Sequence, residues 1–116
     1  MATHTCTVTW DRQGQTFTDN KYSRAHAWHF DGGAQVRGSS SPHSVRVPYS
    51  DPTGVDPEEA LVAALSSCHM LFFLAYARKD GFVVDSYRDD AEGTLGKDER
   101  GKMSITEIVL RPAVTW

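Results

Sequence analysis

The sequence predicts an α+β protein in which antiparallel β-strands are arranged around one long central helix. Segments on both sides of the chain's midpoint alternate between apolar and polar residues with the period of two that is typical of strands. A single run without formal charge, residues 60–77, has the length and apolar spacing of a helix. Strands grouped before and after one helix, instead of alternating with helices, indicate the α+β class.

Composition limits the class of protein further. The chain has 116 residues, 40% hydrophobic and 23% charged, which predicts a single domain over residues 1–116. The net charge is −3 and there is no basic stripe, so we expect neither nucleic acid nor an anionic membrane as a partner. The N-terminus lacks the basic-then-apolar pattern of a secretion signal, which favours a cytoplasmic protein.

The residues before the helix predict three antiparallel strands. In the first, Cys6, Val8 and Trp10 share one face and threonines occupy the other, so we expect Cys6 to point inward. An Asp-Gly-Gly sequence at 31–33 is a hairpin turn signal between the second and third strands. The predicted strands are residues 3–10, 22–30 and 34–38.

The remaining segments predict a long loop and two more strands. Residues 38–54 are rich in serine, proline and glycine, and we expect a loop there with a short extended piece at 44–47. Loops of this length are often functional or pack on a partner. After the helix, residues 82–95 and 103–116 read as strands joined by the charged turn at 96–102.

The two ends of the central helix carry consistent signals. Asp56 suits the N-cap, Pro57 the first helical position, and Glu59 the capping-box acid three residues after the cap. Gly81 suits the position just past the C-terminal end. These signals predict a helix over residues 57–80.

The apolar character of this helix has to be explained by a membrane, a core or a partner. Its uncharged run is close to the lower limit for a membrane span, but residues 66–69, Ser-Ser-Cys-His, would then lie in mid-membrane. A helix over 57–80 is about 36 Å long, whereas a domain of this size has a radius of gyration of about 13 Å. We therefore expect a soluble helix that a second subunit helps to cover, in an intertwined or back-to-back homodimer.

Cys68 lies at the centre of the apolar stripe, and its spacing leaves two interpretations open. It is either a buried structural thiol or a reactive one. A reactive thiol here needs a positive charge from elsewhere, because Cys68 is a dozen residues past the helix start. A disulfide with Cys6 is not favoured in a reducing compartment. No His or Cys spacing indicates a metal site, so we expect none.

The helix motif resembles that of the OsmC/Ohr family, the osmotically inducible protein C and organic hydroperoxide resistance proteins. The motif consists of Asp56-Pro57-Glu58-Glu59 and of Cys68, ten positions after Glu58. Flanking stretches such as "KYSRAHAWHFDGG" and "GFVVDSY" are similar to one OsmC-like branch. The resemblance covers essentially the whole chain and implies the OsmC-like fold.

The resemblance also implies an activity, that of a peroxiredoxin-like cysteine peroxidase with an antioxidant role in the oxidative stress response. In such an enzyme a helix cysteine attacks the O–O bond of an organic hydroperoxide or hydrogen peroxide and becomes a sulfenic acid. An external thiol or dithiol then supplies the electrons. No cofactor is implied.

The same resemblance implies the candidate catalytic residues, each matched separately to a position of the family. Cys68 matches the peroxidatic cysteine and Glu58 the activating glutamate. Arg24 is the first candidate for the arginine that orients the thiolate, Arg46 the second and Arg37 the third. Ten residues of straight helix separate Glu58 from Cys68 by about 15 Å. We therefore expect the Glu or Arg at each thiol to come from the partner chain, or from a loop that folds back, with the active site at the dimer interface.

One departure from the family pattern supports an alternative function. The family's resolving cysteine lies on a second long helix, which this chain does not reach, and Cys6 does not match that position. The sequence is then expected to be an N-terminal part of a longer protein, or to use an external thiol for resolution. The alternative is an OsmC-like scaffold or binding protein with impaired catalysis.

Overall fold

One helix and seven strands make up the structure, a computed structural model that describes residues 1–116. The predicted α+β class, with one long helix and antiparallel strands, is confirmed. The chain forms two compact units, Met1–Pro57 and Glu58–Trp116, which are described in turn. The single domain expected over 1–116 stays a prediction.

The first unit contains an antiparallel sheet of three strands in the order β1-β2-β3. The turn between the last two strands is closed by Gly33 N–H, which donates to Phe30 O at 3.0 Å, and by Phe30 N–H, which donates to Ala34 O at 2.9 Å. All three predicted strands are present but begin later than expected. Their bounds are β1 (Cys6–Thr9), β2 (His26–Phe30) and β3 (Gln35–Gly38).

Two predictions about this unit are wrong. Cys6 is exposed, not inward, because no residue of the chain covers its face of β1, where Val8 is also 62% exposed. Residues 44–47 do not form an extended piece. Instead the Ser41 carbonyl accepts hydrogen bonds from the amides of Ser44 and Val45, at 3.0 and 2.9 Å, which winds this part of the loop into a turn.

A tight contact joins β2 to β3 at Gly38. Trp28 Nε1 donates to His26 Nε2 at 2.9 Å, and His26 Nδ1 donates to the Arg24 carbonyl at 2.7 Å. Gly38 lies opposite His26 in the ladder. A Cβ at Gly38 would lie 2.5 Å from Trp28 Nε1 and 2.6 Å from His26 Nε2, so only glycine fits against this pair.

We expect Gly38→Ala to destabilise the protein by about 1–3 kcal/mol, because the added methyl must displace the Trp28–His26 hydrogen bond. The measurement is the free energy of unfolding in urea. Gly32→Ala is the matched control in the same hairpin, since nothing lies within 4 Å of its added Cβ. Equal stability of the two variants would contradict the assigned contact.

The second unit contains helix α1 and four strands in two antiparallel pairs, β4 with β7 and β5 with β6. The prediction of two strands after the helix is wrong, because four are present. Each predicted strand is divided into two shorter ones. Pro112 has no amide hydrogen to continue the ladder of β6, and it begins a strand that pairs with β4 instead. The bounds are α1 (Pro57–Lys79), β4 (Ser86–Asp89), β5 (Glu92–Lys97), β6 (Met103–Val109) and β7 (Pro112–Thr115).

Helix α1 begins at Pro57, as predicted, and ends at Lys79, one residue before the expected end. Its C-terminus is closed by two hydrogen bonds, from Gly81 N–H to Arg78 O at 3.1 Å and from Phe82 N–H to Ala77 O at 2.9 Å. This is the Schellman pattern, which needs a left-handed residue after the helix. Gly81 supplies it with φ of 84°.

The length and composition of α1 would also allow it to cross a membrane, although core helices of soluble proteins meet the same criterion. Only 11% of its most apolar 18-residue window is buried within the chain. Several large apolar side chains of α1, such as Leu71 and Phe72, are therefore left about half or more exposed by their own chain.

Candidate functional site

One face of α1 packs on the strands of the second unit, and we call it the inner face. It consists of Val62, Ser66, Phe73 and Ala77, which recur at the spacing of one helix side. Ser66 Oγ donates to Asp89 Oδ2 on β4 at 2.6 Å. The other three are apolar, and Val62 and Ala77 are the buried apolar residues of the chain.

The opposite side, the outer face, is apolar but exposed. It consists of Leu61, Leu65, Cys68, Leu71 and Phe72. Leu65 is 45% exposed, Leu71 60% and Phe72 61%. Cys68 lies two residues, and therefore about 200° of helix rotation, from Ser66, which places it on this face as a free and exposed thiol. Its own chain therefore does not cover the Cys68 thiol.

Glu58 lies on the same helix but does not reach Cys68. Ten residues separate them, which corresponds to about 15 Å along the axis and about 80° around it. Glu58 is half-buried in the first turn. The Glu58 carboxylate can meet a Cys68 thiol only if the two come from different chains.

Arg24 lies just before β2 in the first unit, where its guanidinium is held by its own loop. Nη1 donates to the carbonyls of Tyr22, at 2.6 Å, and Asn20, at 3.0 Å, and Nη2 donates to Asn20 Oδ1 at 2.6 Å. The guanidinium carbon also lies 3.7 Å from the centre of the Tyr22 ring. These contacts fix the direction of Arg24 and use three of its five donors.

The two other candidate arginines differ in how far their charge is already neutralised. Arg37 donates from Nε to Asp51 Oδ2 in an ion pair. Arg46 is exposed, and its guanidinium carbon lies 5.5 Å from the centre of the Tyr49 ring. Arg46 therefore keeps all its donors for an external anion.

The Asp51 carboxylate accepts several hydrogen bonds in the serine-rich loop. The hydroxyl and the amide of Thr53 donate to Oδ1 at 2.6 and 2.9 Å, and Arg37 donates to Oδ2. These bonds, the hydroxyl of Thr53 first, lower the pKa of Asp51 from 3.8 to about 2. The ion pair between Arg37 on β3 and the ionised Asp51 thus ties the loop after β3 to that strand.

We expect the carboxylate of Asp51 to stabilise the loop fully above about pH 4 and to lose this effect as the pH falls to about 2. The sign follows from a pKa that is lower in the folded state. The free energy of unfolding of Asp51→Asn, relative to the parent, should therefore show a deficit at neutral pH that shrinks with acidification. Asp31→Asn, an exposed turn residue, is the control. A deficit independent of pH would contradict the assignment.

A polar cluster between α1 and β4 was not predicted from the sequence. It consists of Ser66, His69, Tyr87 and Asp89. Besides the Ser66 bond, Asp89 Oδ1 accepts the Arg111 amide at 2.6 Å, and His69 Nδ1 is hydrogen-bonded to the Tyr87 hydroxyl at 3.1 Å. The only signal in the sequence is the polar Ser-Ser-Cys-His stretch inside an apolar helix.

The charges in this cluster act on one another. The Ser66 hydroxyl first, and then the Arg111 amide, lower the pKa of Asp89 by their hydrogen bonds, and the charge of Arg111 acts in the same direction. Desolvation, followed by the negative charge of Asp89, raises the pKa of Tyr87. Asp89 is therefore an anion at neutral pH, with directional partners on both of its oxygens. No group of three or more His, Cys, Asp or Glu side chains in residues 1–116 could hold a metal ion.

Comparison with known proteins places this arrangement in a family. The family described as OsmC-like protein matches residues 50–115, which include α1, Glu58 and Cys68. An OsmC-like protein of unknown function from Vibrio cholerae has a similar structure, with a TM-score of 0.96 and 57% sequence identity. The match covers 99% of this chain and 75% of that one. No curated protein matches the chain.

The family match covers more than half of the chain, and the similarity to the Vibrio cholerae protein extends over both units. The predicted resemblance and the predicted OsmC-like fold are thereby confirmed. The chain belongs to the OsmC-like family.

Proposed function

We propose that this protein is a thiol-dependent peroxidase that reduces organic hydroperoxides, and hydrogen peroxide, with Cys68 as the nucleophile. The observation that carries the proposal is the position of Cys68, a free thiol that its own chain leaves uncovered in the middle of the apolar outer face of α1. Apolar side chains around a thiol suit the alkyl part of an organic hydroperoxide. Membership of the OsmC-like family is compatible with this chemistry.

The proposed reaction needs only the thiol, the peroxide and an external reductant. The Cys68 thiolate attacks one peroxide oxygen, an S–O bond forms and the O–O bond breaks. The alkoxide leaves and takes up a proton, and Cys68 is oxidised to a sulfenic acid. A thiol reductant then displaces water to form a mixed disulfide, and a second thiol releases reduced Cys68 and the reductant's disulfide. These steps use no metal or other cofactor, and a reducing cytoplasm would supply the thiols.

A second copy of the chain is the proposed cover for the outer face. Leu65, Leu71 and Phe72 leave about half or more of their surface exposed on one helix side, and contiguous apolar patches of this kind usually mark an interface. A two-fold dimer would place the same face of both copies together. It would also allow Glu58 of one copy to approach Cys68 of the other.

The arginine of the proposed site is one of two residues. Arg24 is held in place by its own loop, whereas Arg46 has no hydrogen bond that would compete with a thiolate. The contacts therefore favour Arg46 as the residue that stabilises the negative charge. Arg24 remains the alternative, with Nε–H and one Nη2 hydrogen still unused.

The direct test of the proposed function is catalytic turnover. Purified protein is given cumene hydroperoxide and a dithiol, and peroxide loss is followed against the uncatalysed rate. We expect catalysed loss that continues beyond one equivalent and is retained in Cys6→Ser, because Cys6 takes no part in the proposed reaction. A rate equal to the uncatalysed one would refute the peroxidase and favour a scaffold or binding role.

We expect mixed dimers to show whether the site is shared between subunits. Cys68→Ser and Glu58→Ala homodimers should both be inactive, because each lacks a required group in both sites. After unfolding and refolding together, about half of the dimers are heterodimers, and each has one complete site. Recovery of about a quarter of the parent's peroxidase activity is expected. No recovery, with heterodimers demonstrated by native mass spectrometry, would show that Glu58 and Cys68 do not combine across an interface.

A further inference from the structure

The inner face of α1 is attached to its strands by two kinds of contact. Val62 packs against Gly93, and Phe73 packs against the rings of Tyr87 and Trp116 at 5.7 and 6.0 Å between centroids. Apolar contacts such as these depend little on direction. They hold the helix on the sheet, but none of them is a directional bond.

The bond from Ser66 to Asp89 is different, because hydrogen bonds are directional. At 2.6 Å it is short, and its acceptor is an anion, which makes it a charge-assisted bond. Asp89 in turn cannot swing freely, since its other oxygen accepts the backbone amide of Arg111 at 2.6 Å. The helix is therefore tied through Ser66 to the backbone of the residue that precedes β7.

Rotation of α1 matters for Cys68 because of where the thiol lies. Side-chain atoms of a helix lie about 5 Å from the axis. A rotation of about 20° would move the Cys68 sulfur by about 1.7 Å. Displacements of about 1 Å in a reacting group can cost two orders of magnitude in rate. The bond between Ser66 and Asp89, which we call the anchor, lies on one side of the helix, and a change there would therefore move a thiol on the other side.

We propose that Asp89 is a positioning residue that fixes, through Ser66, the rotation of α1 and hence the direction of the Cys68 thiol. The consequence for peroxide reduction rests on the function proposed above, whereas the anchoring itself does not. The neighbouring bond between His69 and Tyr87 is one helix turn away and supports the same orientation.

The test compares variants in a Cys6→Ser background, in which only Cys68 can react. Asp89→Ala and Ser66→Ala remove the anchor. Asp89→Asn removes the charge but keeps the geometry, because its amide can donate to the Ser66 hydroxyl while its oxygen accepts from the Arg111 amide. Asp90→Ala, an exposed neighbour in a surface ion pair with Arg88, is the matched control.

Two rates are measured for each variant: oxidation of Cys68 by cumene hydroperoxide and alkylation of Cys68 by iodoacetamide. We expect the two alanine variants of the anchor to be oxidised about tenfold more slowly and alkylated at a rate changed by about threefold. The asparagine variant and the control should stay within about twofold of the parent. The double variant Ser66→Ala/Asp89→Ala should be no slower than either single one, because both remove the same bond.

Several results would overturn the proposal. Parent-like rates in both alanine variants would show that the bond does not position Cys68, and an asparagine variant as slow as the alanine variants would show that Asp89 acts by its charge. If Asp89→Ala fails to fold, the rates of Ser66→Ala decide. We expect this variant to fold, because alanine has a higher helix propensity than the serine it replaces. If the parent is not oxidised by peroxide, the proposed function fails, and the alkylation rates alone decide whether Asp89 positions the thiol.

Discussion

Cys68→Ser is expected to abolish peroxide reduction, with a fall of about three orders of magnitude or more in the rate of peroxide consumption with a dithiol. The reason is chemical: a serine hydroxyl is un-ionised at neutral pH and cannot form a sulfenic acid, so both the nucleophile and the redox cycle are lost. Because Cys68 is exposed, the oxygen-for-sulfur replacement should leave the fold intact. Peroxide consumption at several protein concentrations measures the effect.

Cys6→Ser is the matched control for this variant, because Cys6 is the chain's other free and exposed cysteine. It should retain the parent's activity, and both variants should give the parent's circular dichroism spectrum. Activity that survives in Cys68→Ser, or that disappears in Cys6→Ser, would show that Cys68 is not the sole reactive cysteine and would contradict the proposed reaction.

Phe72→Asp is expected to convert a dimer of this chain into monomers. Phe72 is 61% exposed in the single chain and lies on the outer face, four residues after Cys68. In a two-fold dimer a carboxylate at this position would be desolvated in both copies without a partner, at a cost of several kcal/mol each. Molar mass from light scattering after size exclusion measures the result. Peroxidase activity should fall with dimer content, because Glu58 then no longer meets Cys68.

Met103→Asp is the control for the helix variant. Met103 is 59% exposed, close to the value for Phe72, but it lies at the start of β6 instead of on α1. The Met103→Asp variant should have the parent's molar mass and peroxidase activity. A parent protein that is monomeric at micromolar concentration, or a Phe72→Asp variant that stays dimeric, would contradict the proposed role of the outer face.

Local signals account for what could be predicted about the helix. Pro57 at its start and Gly81 past its end act through the conformations that those two residues themselves favour, so the bounds of α1 were predicted to within one residue. The motif around Glu58 and Cys68 likewise lies on one continuous segment. It was therefore sufficient to identify the family that the comparisons confirm.

Features that depend on distant partners were not predicted. The division of residues 82–95 and 103–116 into four strands follows from the pairing of β4 with β7 and of β5 with β6, which alternation within one strand does not reveal. The exposure of Cys6 depends on what covers its sheet face, not on the pattern of β1. The bond between Ser66 and Asp89 joins residues 23 positions apart, and no spacing rule connects them.

Trapping the sulfenic acid shows whether Cys68 is a peroxidatic thiol. Prereduced protein is treated with a single equivalent of cumene hydroperoxide in the presence of dimedone, and the modified peptides are identified by mass spectrometry. We expect a dimedone adduct on Cys68, no adduct on Cys6, and no adduct in Cys68→Ser. An unmodified Cys68 that iodoacetamide still alkylates would contradict it, because the thiol would then be accessible but unreactive towards peroxide.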